Sequence, residues 1–231
     1  MLLLSACVST GDQRLGTGPP GLNVARAALA GGSPALALTV SDLILAKAPR
    51  DVPALIVQGD SLMSLGRLDE ADTSYMKALA ADPQSVLANI GLGRLRLRSS
   101  PSQAQVLFLI ALQGDPRNTT ALNDLGIAYD LQGDHTRAQA AYRKVLGVAP
   151  TMRATEVNLA LSMALSGEAQ AAVQMLKPLA DDPSASRRVH HDLAAALTLQ
   201  GDRQTAASIL SGDMTQEEVD RALLAFQALR P

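Results

Sequence analysis

The chain has no tryptophan, three tyrosines and two phenylalanines among its 231 residues, so aromatics make up only 2% of it. A core must come from the aliphatic part of the 47% hydrophobic fraction, chiefly alanine and leucine, which lets packed elements approach closely. A single cysteine, Cys7, excludes an intrachain disulfide. Lysine and arginine (20) nearly balance aspartate and glutamate (22), for a net charge of −2. Without a basic tract, that balance argues against a nucleic-acid partner. The apolar runs fall short of the ~20 residues that cross a bilayer as a helix. Arg94, Arg96 and Arg98 form the one cationic cluster and read as a solvated helix face.

What the chain does have is regular punctuation. Pro49, Pro83, Pro116, Pro150 and Pro183 recur at intervals of 34, 33, 34 and 33 residues. Gly32, Gly66, Gly133, Gly167 and Gly201 keep the same period, with intervals of 34, 67, 34 and 34, and Gly93 and Gly126 lie 33 apart in a second phase. The clearest unit runs from Thr119 to Pro150. Leu122, Leu125, Ile127, Ala128 and Tyr129 give its first segment an apolar face at helical spacing. Gly133 supplies a left-handed helix end. In the second segment Ala138, Tyr142, Val145 and Leu146 point inward, and Pro150 closes it. Gly126 and Ala138 fall where paired helices approach closely, with Tyr129 and Tyr142 filling the space beside them.

A 34-residue period with helical patterning between the marks resembles the tetratricopeptide repeat. The pattern Leu-Gly…Tyr…Gly…Ala…Tyr/Phe…Pro covers the whole of that unit. Residues 51–83 repeat it through Gly59, Gly66, Ala71, Tyr75, Ala78 and Pro83, and residues 86–116 through Gly93, Phe108, Ala111 and Pro116. In the latter Ser100-Pro101 replaces the inter-helix glycine, as an N-cap followed by proline at the first helical position. Ser33-Pro34 does the same in a degenerate first unit over residues 18–49. Residues 153–183 keep Gly167 and Ala172, with Leu159 and Leu176 at large-residue positions, and residues 187–210 keep Gly201 and Ala206. Pro178 should kink or end its helix near Lys177. Thr215 and Glu218 make a capping box that opens a last helix through Leu229.

The fold expected is all-α: a tetratricopeptide-type right-handed helical-hairpin solenoid of about six units plus a C-terminal capping helix. It should hold twelve or thirteen helices and no strand, with the repeats over residues 21–231. Residues 8–20 read as a flexible tether. Residues 1–7 end in Leu4-Ser5-Ala6-Cys7, which resembles a bacterial lipobox, making Cys7 the expected lipidation site. Six residues are fewer than a secretory signal needs, so the native precursor is expected to start upstream of Met1. Val8 and Ser9 after the cysteine, with no aspartate, resemble an outer-membrane address.

Chemistry is not indicated. His135, His190 and His191 lack the partners at i, i+4 that a metal site needs, and read as surface histidines. Gly91-Leu92-Gly93 has neither a preceding strand nor a Lys-Ser/Thr ending, so it is no phosphate loop. No strained nucleophile turn accompanies any serine. The chain reads as a non-enzyme with no cofactor and no metal.

Binding is expected on the face lined by the first helix of each unit. Its residues are Ile56, Asp60 and Met63; then Ile90, Arg94, Leu97 and Arg98; then Asn123, Ile127, Asp130 and Leu131; then Val157, Leu161 and Leu165; then Arg188, His191 and Leu199. The lining is largely aliphatic with a few arginines and suits an apolar or amphipathic segment of another protein. The Lys and Asn positions with which some tetratricopeptide proteins clamp a C-terminal carboxylate are Ile56/Asp60 and Ile90/Arg94 here, so that clamp is not expected.

Lipobox, tether, repeats and cap together resemble the TadD family of the tight-adherence (Flp) pilus machinery. The carboxyl half carries the resemblance best, with its NLALSMALSGEAQAA cadence and the turn at Gly212-Asp213. The resemblance implies a pilotin-like lipoprotein, anchored on the periplasmic side of the outer membrane, that assists a secretin subunit. The alternatives are a general periplasmic or envelope adaptor, and a soluble regulatory subunit of a larger complex.

Overall fold

The computed structural model describes residues 20–229. Among them lie thirteen α-helices and no strand: α1 Pro20–Ala30, α2 Pro34–Leu45, α3 Val52–Ser64, α4 Leu68–Ala81, α5 Val86–Arg96, α6 Pro101–Gly114, α7 Thr119–Asp130, α8 His135–Val148, α9 Arg153–Leu165, α10 Ala169–Ala180, α11 Arg187–Gln200, α12 Arg203–Leu210 and α13 Gln216–Gln227. The expected helical-hairpin fold is what forms. Cys7 and the tether lie outside the described residues, and α1 opens at Pro20, one residue before the expected boundary.

The periodic glycines do the work the spacing assigned them. Gly32, Gly66, Gly133, Gly167 and Gly201 all have positive φ, from 73° to 107°. Only glycine adopts that region without a steric penalty, so each unit reverses direction there. Helix starts are fixed by side chains at Asp51, Asn118, Asp134 and Asp202, each accepting a hydrogen bond from a backbone N–H three residues on. Thr215 and Glu218 form the expected capping box, and α13 then ends at Gln227, two residues short of Leu229. Ser33 and Ser100 occupy N-cap positions with proline following, but neither hydroxyl caps the helix. Their ψ angles (64° and 77°) match those of the capping Asp134 and Asp202 (67° and 70°), but their φ angles differ, at −112° and −153° against −90° and −84° for the aspartates. The proline alone marks those starts. Nor does Pro178 end its helix. Helix α10 continues to Ala180, and Asp181 still donates its N–H to the Lys177 carbonyl.

The chain forms two compact units, one up to Leu92 and one from Gly93. In the first, α1, α2, α3 and α4 pack in sequence and α1 also meets α3. In the second, each helix from α6 to α13 packs on the next, and α7 meets α9, α9 meets α11 and α11 meets α13. Odd-numbered helices thus form an inner row in each unit. Among the described residues the even-numbered ones touch only their sequence neighbours. The core between the rows is alanine and leucine, with Tyr75, Phe108 and Tyr142 as its largest fully buried side chains.

Candidate protein-binding faces

Each inner-row helix places its residues by the same geometry. Ile56, Ile90 and Val157 are turned into the core, at 7%, 4% and 4% exposure. Asp60, Met63, Leu97, Asn123, Ile127, Asp130, Leu161, Leu165, His191 and Leu199 are half-buried, whereas Arg94, Arg98, Leu131 and Arg188 are exposed. Arg98 lies in the turn after α5, which ends at Arg96. It is therefore not one helical turn from Arg94 on a continuous helix.

The polar residues of this face are joined to one another in the second unit. Arg94 Nε donates to Asp124 Oδ2 at 2.6 Å, and the Asn123 amide donates to Asp124 Oδ1 at 3.3 Å. Asn123 Oδ1 accepts from Thr155 Oγ1 at 2.9 Å and from Asn158 Nδ2 at 3.1 Å. Asn158 Oδ1 accepts from Arg188 at 2.7 Å, and Arg188 also faces Asp192 at 3.4 Å. This ladder crosses α5, α7, α9 and α11, and Asp124 and Asn158 within it are buried. Burial leaves the Asp192 carboxyl above the usual carboxylate range, against the pull of Arg188. The sequence reading missed the ladder. Its signal was legible: Asp124, Asn158 and Asp192 are polar residues 34 apart at a register that elsewhere faces the core.

A second polar cluster closes the fourth unit. Asp130 Oδ2 accepts from Tyr142 Oη at 2.9 Å, and Oδ1 accepts from Ser162 Oγ at 2.6 Å and lies 2.8 Å from His135 Nδ1. Burial raises the Tyr142 hydroxyl far above its usual range, with the Asp130 charge adding to it. His191 Nε2 lies 3.2 Å from Asp213. Among the described residues no group of three or more His, Cys, Asp or Glu is placed to hold a metal ion.

Among the described residues, three hollows with apolar linings are open to a partner. In the first unit a space of about 540 Å³ opens between α1, α3 and the turn before α5, lined by Leu29, Val52, Ile56 and Val57 with Arg26, Asp60 and Asp82 around them. In the second unit Ala154, Val157, Leu179 and Val189 line a space of about 340 Å³ with Arg153 and Arg188 beside it. A third, of about 450 Å³, lies between α6 and α8. Near the second hollow, bonds from Ser184 and then from Arg153 hold the Asp182 carboxyl down at about 2. Gly91 and Gly93 have a packing role. A methyl group on Gly91 would fall 2.3 Å from the Tyr75 ring, and one on Gly93 would fall 2.5 Å from the Phe108 ring.

Residues 52–85, 98–153 and 187–211 each match a tetratricopeptide repeat family. Among curated proteins, the probable UDP-N-acetylglucosamine–peptide N-acetylglucosaminyltransferase SPINDLY of Hordeum vulgare is 31% identical over 121 residues, 49% of this chain and 13% of its own length. The Arabidopsis thaliana CTR9 homolog is 38% identical over 101 residues, 42% of this chain and 9% of its own. The chain therefore spans only a small part of these relatives. Among solved structures, PilW, a widely conserved type IV pilus biogenesis factor, superposes with a TM-score of 0.76 at 20% identity, covering 88% of this chain and 96% of its own. Pseudomonas aeruginosa pilF gives 0.70 at 19% identity, covering 90% and 95%. The chain carries tetratricopeptide repeats, the fold is theirs, and proteins built this way are typically non-catalytic scaffolds that bind other proteins.

Proposed function

We propose that the chain is a non-enzymatic, pilotin-like scaffold of the TadD type, which holds an apolar segment of a pilus secretin along the inner row of its second unit. The observation that carries this reading is the pairing of accessible aliphatic groups, on α7, its C-cap and α9, with a fixed polar ladder. Leu131 is 53% exposed, and Ile127, Leu161 and Leu165 are half-buried. Covering them contributes about 25 cal/mol for each Å² of apolar surface. The ladder holds these helices in register, so binding does not have to order them first. Arg98, exposed beside this face, would orient acidic residues on the partner and mainly raise the association rate. The likeness to PilW and pilF supports the scaffold architecture, and the lipobox resemblance at Cys7 supports an anchor on the periplasmic side of the outer membrane.

The test is capture of a purified secretin subunit by wild type, Arg98→Glu and Leu131→Asp, each first shown to keep its circular dichroism. Arg98→Glu should slow association and Leu131→Asp should speed dissociation. Undiminished capture by both would remove the inner row as the binding face. Expression of the upstream reading frame with and without Cys7→Ser tests the anchor: only the wild type should take up a fatty-acid label and follow the membrane.

A further inference from the structure

Helix α6 carries no charged side chain over its fourteen residues, yet Val106 is 55% and Leu109 39% exposed. Beside it lies the 450 Å³ hollow, with Leu109, Leu112, Leu125 and Tyr129 on its floor and Arg137 and Lys144 of α8 along its far wall. The guanidinium of Arg137 lies over the Tyr129 ring at 4.7 Å and pairs with Asp134 at 2.5 Å. Lys144 makes no ion pair among the described residues. The hollow is thus apolar at its base and cationic at one wall. It lies on the outer row, away from the inner-row face proposed above.

The complement to that surface is on the chain itself. Helix α13 buries Val219 and Leu223 and turns Glu217, Asp220 and Leu224 outward, with Leu224 59% exposed. Positions i, i+3 and i+7 share one side of a helix, so two carboxylates and a leucine form a single stripe, in which Glu217 faces Arg221 at 3.7 Å and Asp220 accepts from the Gln216 amide at 3.2 Å. Leucine matches the aliphatic floor, and Asp220, which makes no ion pair among the described residues, matches Lys144 on the wall. We propose that the α6–α8 hollow receives this face of α13 from a second copy of the chain. Hollow and stripe are different surfaces, so the contact is head-to-tail. Each added copy leaves one of each free, and assembly does not stop at a dimer unless the ring closes. A membrane is the other apolar and basic-seeking surface, but among the described residues none of the large exposed hydrophobics is aromatic, and aromatic belts are what interfaces favour.

Sedimentation of the full chain over a range of concentrations tests the contact. The mass should rise past that of a dimer, and the rise should weaken as salt is added. Leu109→Asp, Lys144→Glu and Leu224→Asp should each weaken it about tenfold or more, and Glu217→Lys with Asp220→Lys should restore association to Lys144→Glu. Leu109→Asp mixed with Leu224→Asp should give a complex of two chains and no more, because one intact hollow and one intact stripe remain. A chain monomeric at every concentration would overturn the proposal. So would association that halts symmetrically at a dimer, or association indifferent to Leu224→Asp. Binding of anionic phospholipid vesicles by wild type but not by Leu109→Asp, without self-association, would assign the hollow to a membrane instead.

Discussion

A methyl group placed on Gly126 would lie 2.3 Å from Cε1 of Tyr142, inside the ring's van der Waals surface. The same relation joins Gly59 to Tyr75, at 2.7 Å, and Gly93 to Phe108, at 2.5 Å. Each glycine precedes its ring by fifteen or sixteen residues. At that offset the fifth unit has Ala160 with Leu176 and the last has Ala194 with Leu210. Glycine goes with an aromatic and alanine with leucine, so a fixed gap between paired helices is filled in two ways.

Gly126→Ala should therefore destabilise the protein, although alanine favours a helix interior by ~1 kcal/mol. Overpacking a close contact costs about 1–3 kcal/mol, and the ring is fully buried with little room to retreat. The expected net loss is therefore up to about 2 kcal/mol by urea unfolding. Adding Tyr142→Leu should cost less in the Gly126→Ala background than in wild type. Equal cost in both backgrounds would mean that the two residues do not share one space.

The Arg94–Asp124 pair has a consequence for any test of the inner face. Asp124 is buried and Arg94 is its cation, so removing the arginine strands a carboxylate. Thermal unfolding should rank wild type above Arg94→Gln, then Arg94→Ala, then Arg94→Glu, with about 1–3 kcal/mol between the ends. Arg98→Glu, on an exposed turn, should stay within about 0.5 kcal/mol. A loss of partner binding by Arg94→Glu alone would therefore report on folding as much as on the groove.

The contrast between those arginines shows what the sequence could convey. The period and the aromatic-glycine pairs are set by close packing, which repeats with the chain, and the glycine turns by a left-handed backbone, and all were readable. The capping of α3, α7, α8 and α12 by Asp or Asn follows from local bonding. The Ser33 and Ser100 caps failed where the φ of both serines departs from that of the capping aspartates, a backbone difference that residue type does not announce. The ladder joins residues 30 to 35 positions apart, and only stacking of the inner row brings them together. Arg94, a groove residue by its register, is half committed to that stacking.

Asp182 should titrate at about 2, below its ordinary 3.8. A carboxylate depressed in the folded state contributes stability that is present above its unfolded value and is lost as the pH falls through about 2. Ser184→Ala removes the hydroxyl bond but leaves the Ser184 N–H bond in place, and Arg153→Ala removes the bond and charge of the guanidinium, so each should raise the Asp182 value toward its ordinary 3.8. Carboxyl chemical shifts followed through an acid titration measure both. An Asp182 value unmoved by both substitutions would mean that neither partner holds this carboxylate down.

Pro178 supplies the last test, because it breaks a local rule without ending its helix. It lies inside α10, exposed, three residues from the C-cap at Asp181. Having no N–H, it cannot donate to the Gln174 carbonyl one turn earlier, and its ring presses on that carbonyl. In a helix interior the two effects cost ~3 kcal/mol. Proline also restricts the unfolded chain, which offsets about 0.4–1 kcal/mol of that, and a position near a frayed end recovers a further part. Pro178→Ala should then stabilise the protein by about 1–2 kcal/mol, seen as a higher urea midpoint at unchanged slope. Leu176 and Ala180 are buried on either side of it, and alanine leaves both in place. A lower midpoint for Pro178→Ala would show that the proline fixes how the end of α10 meets α11, and that its strain is offset by the packing of Leu176 and Ala180.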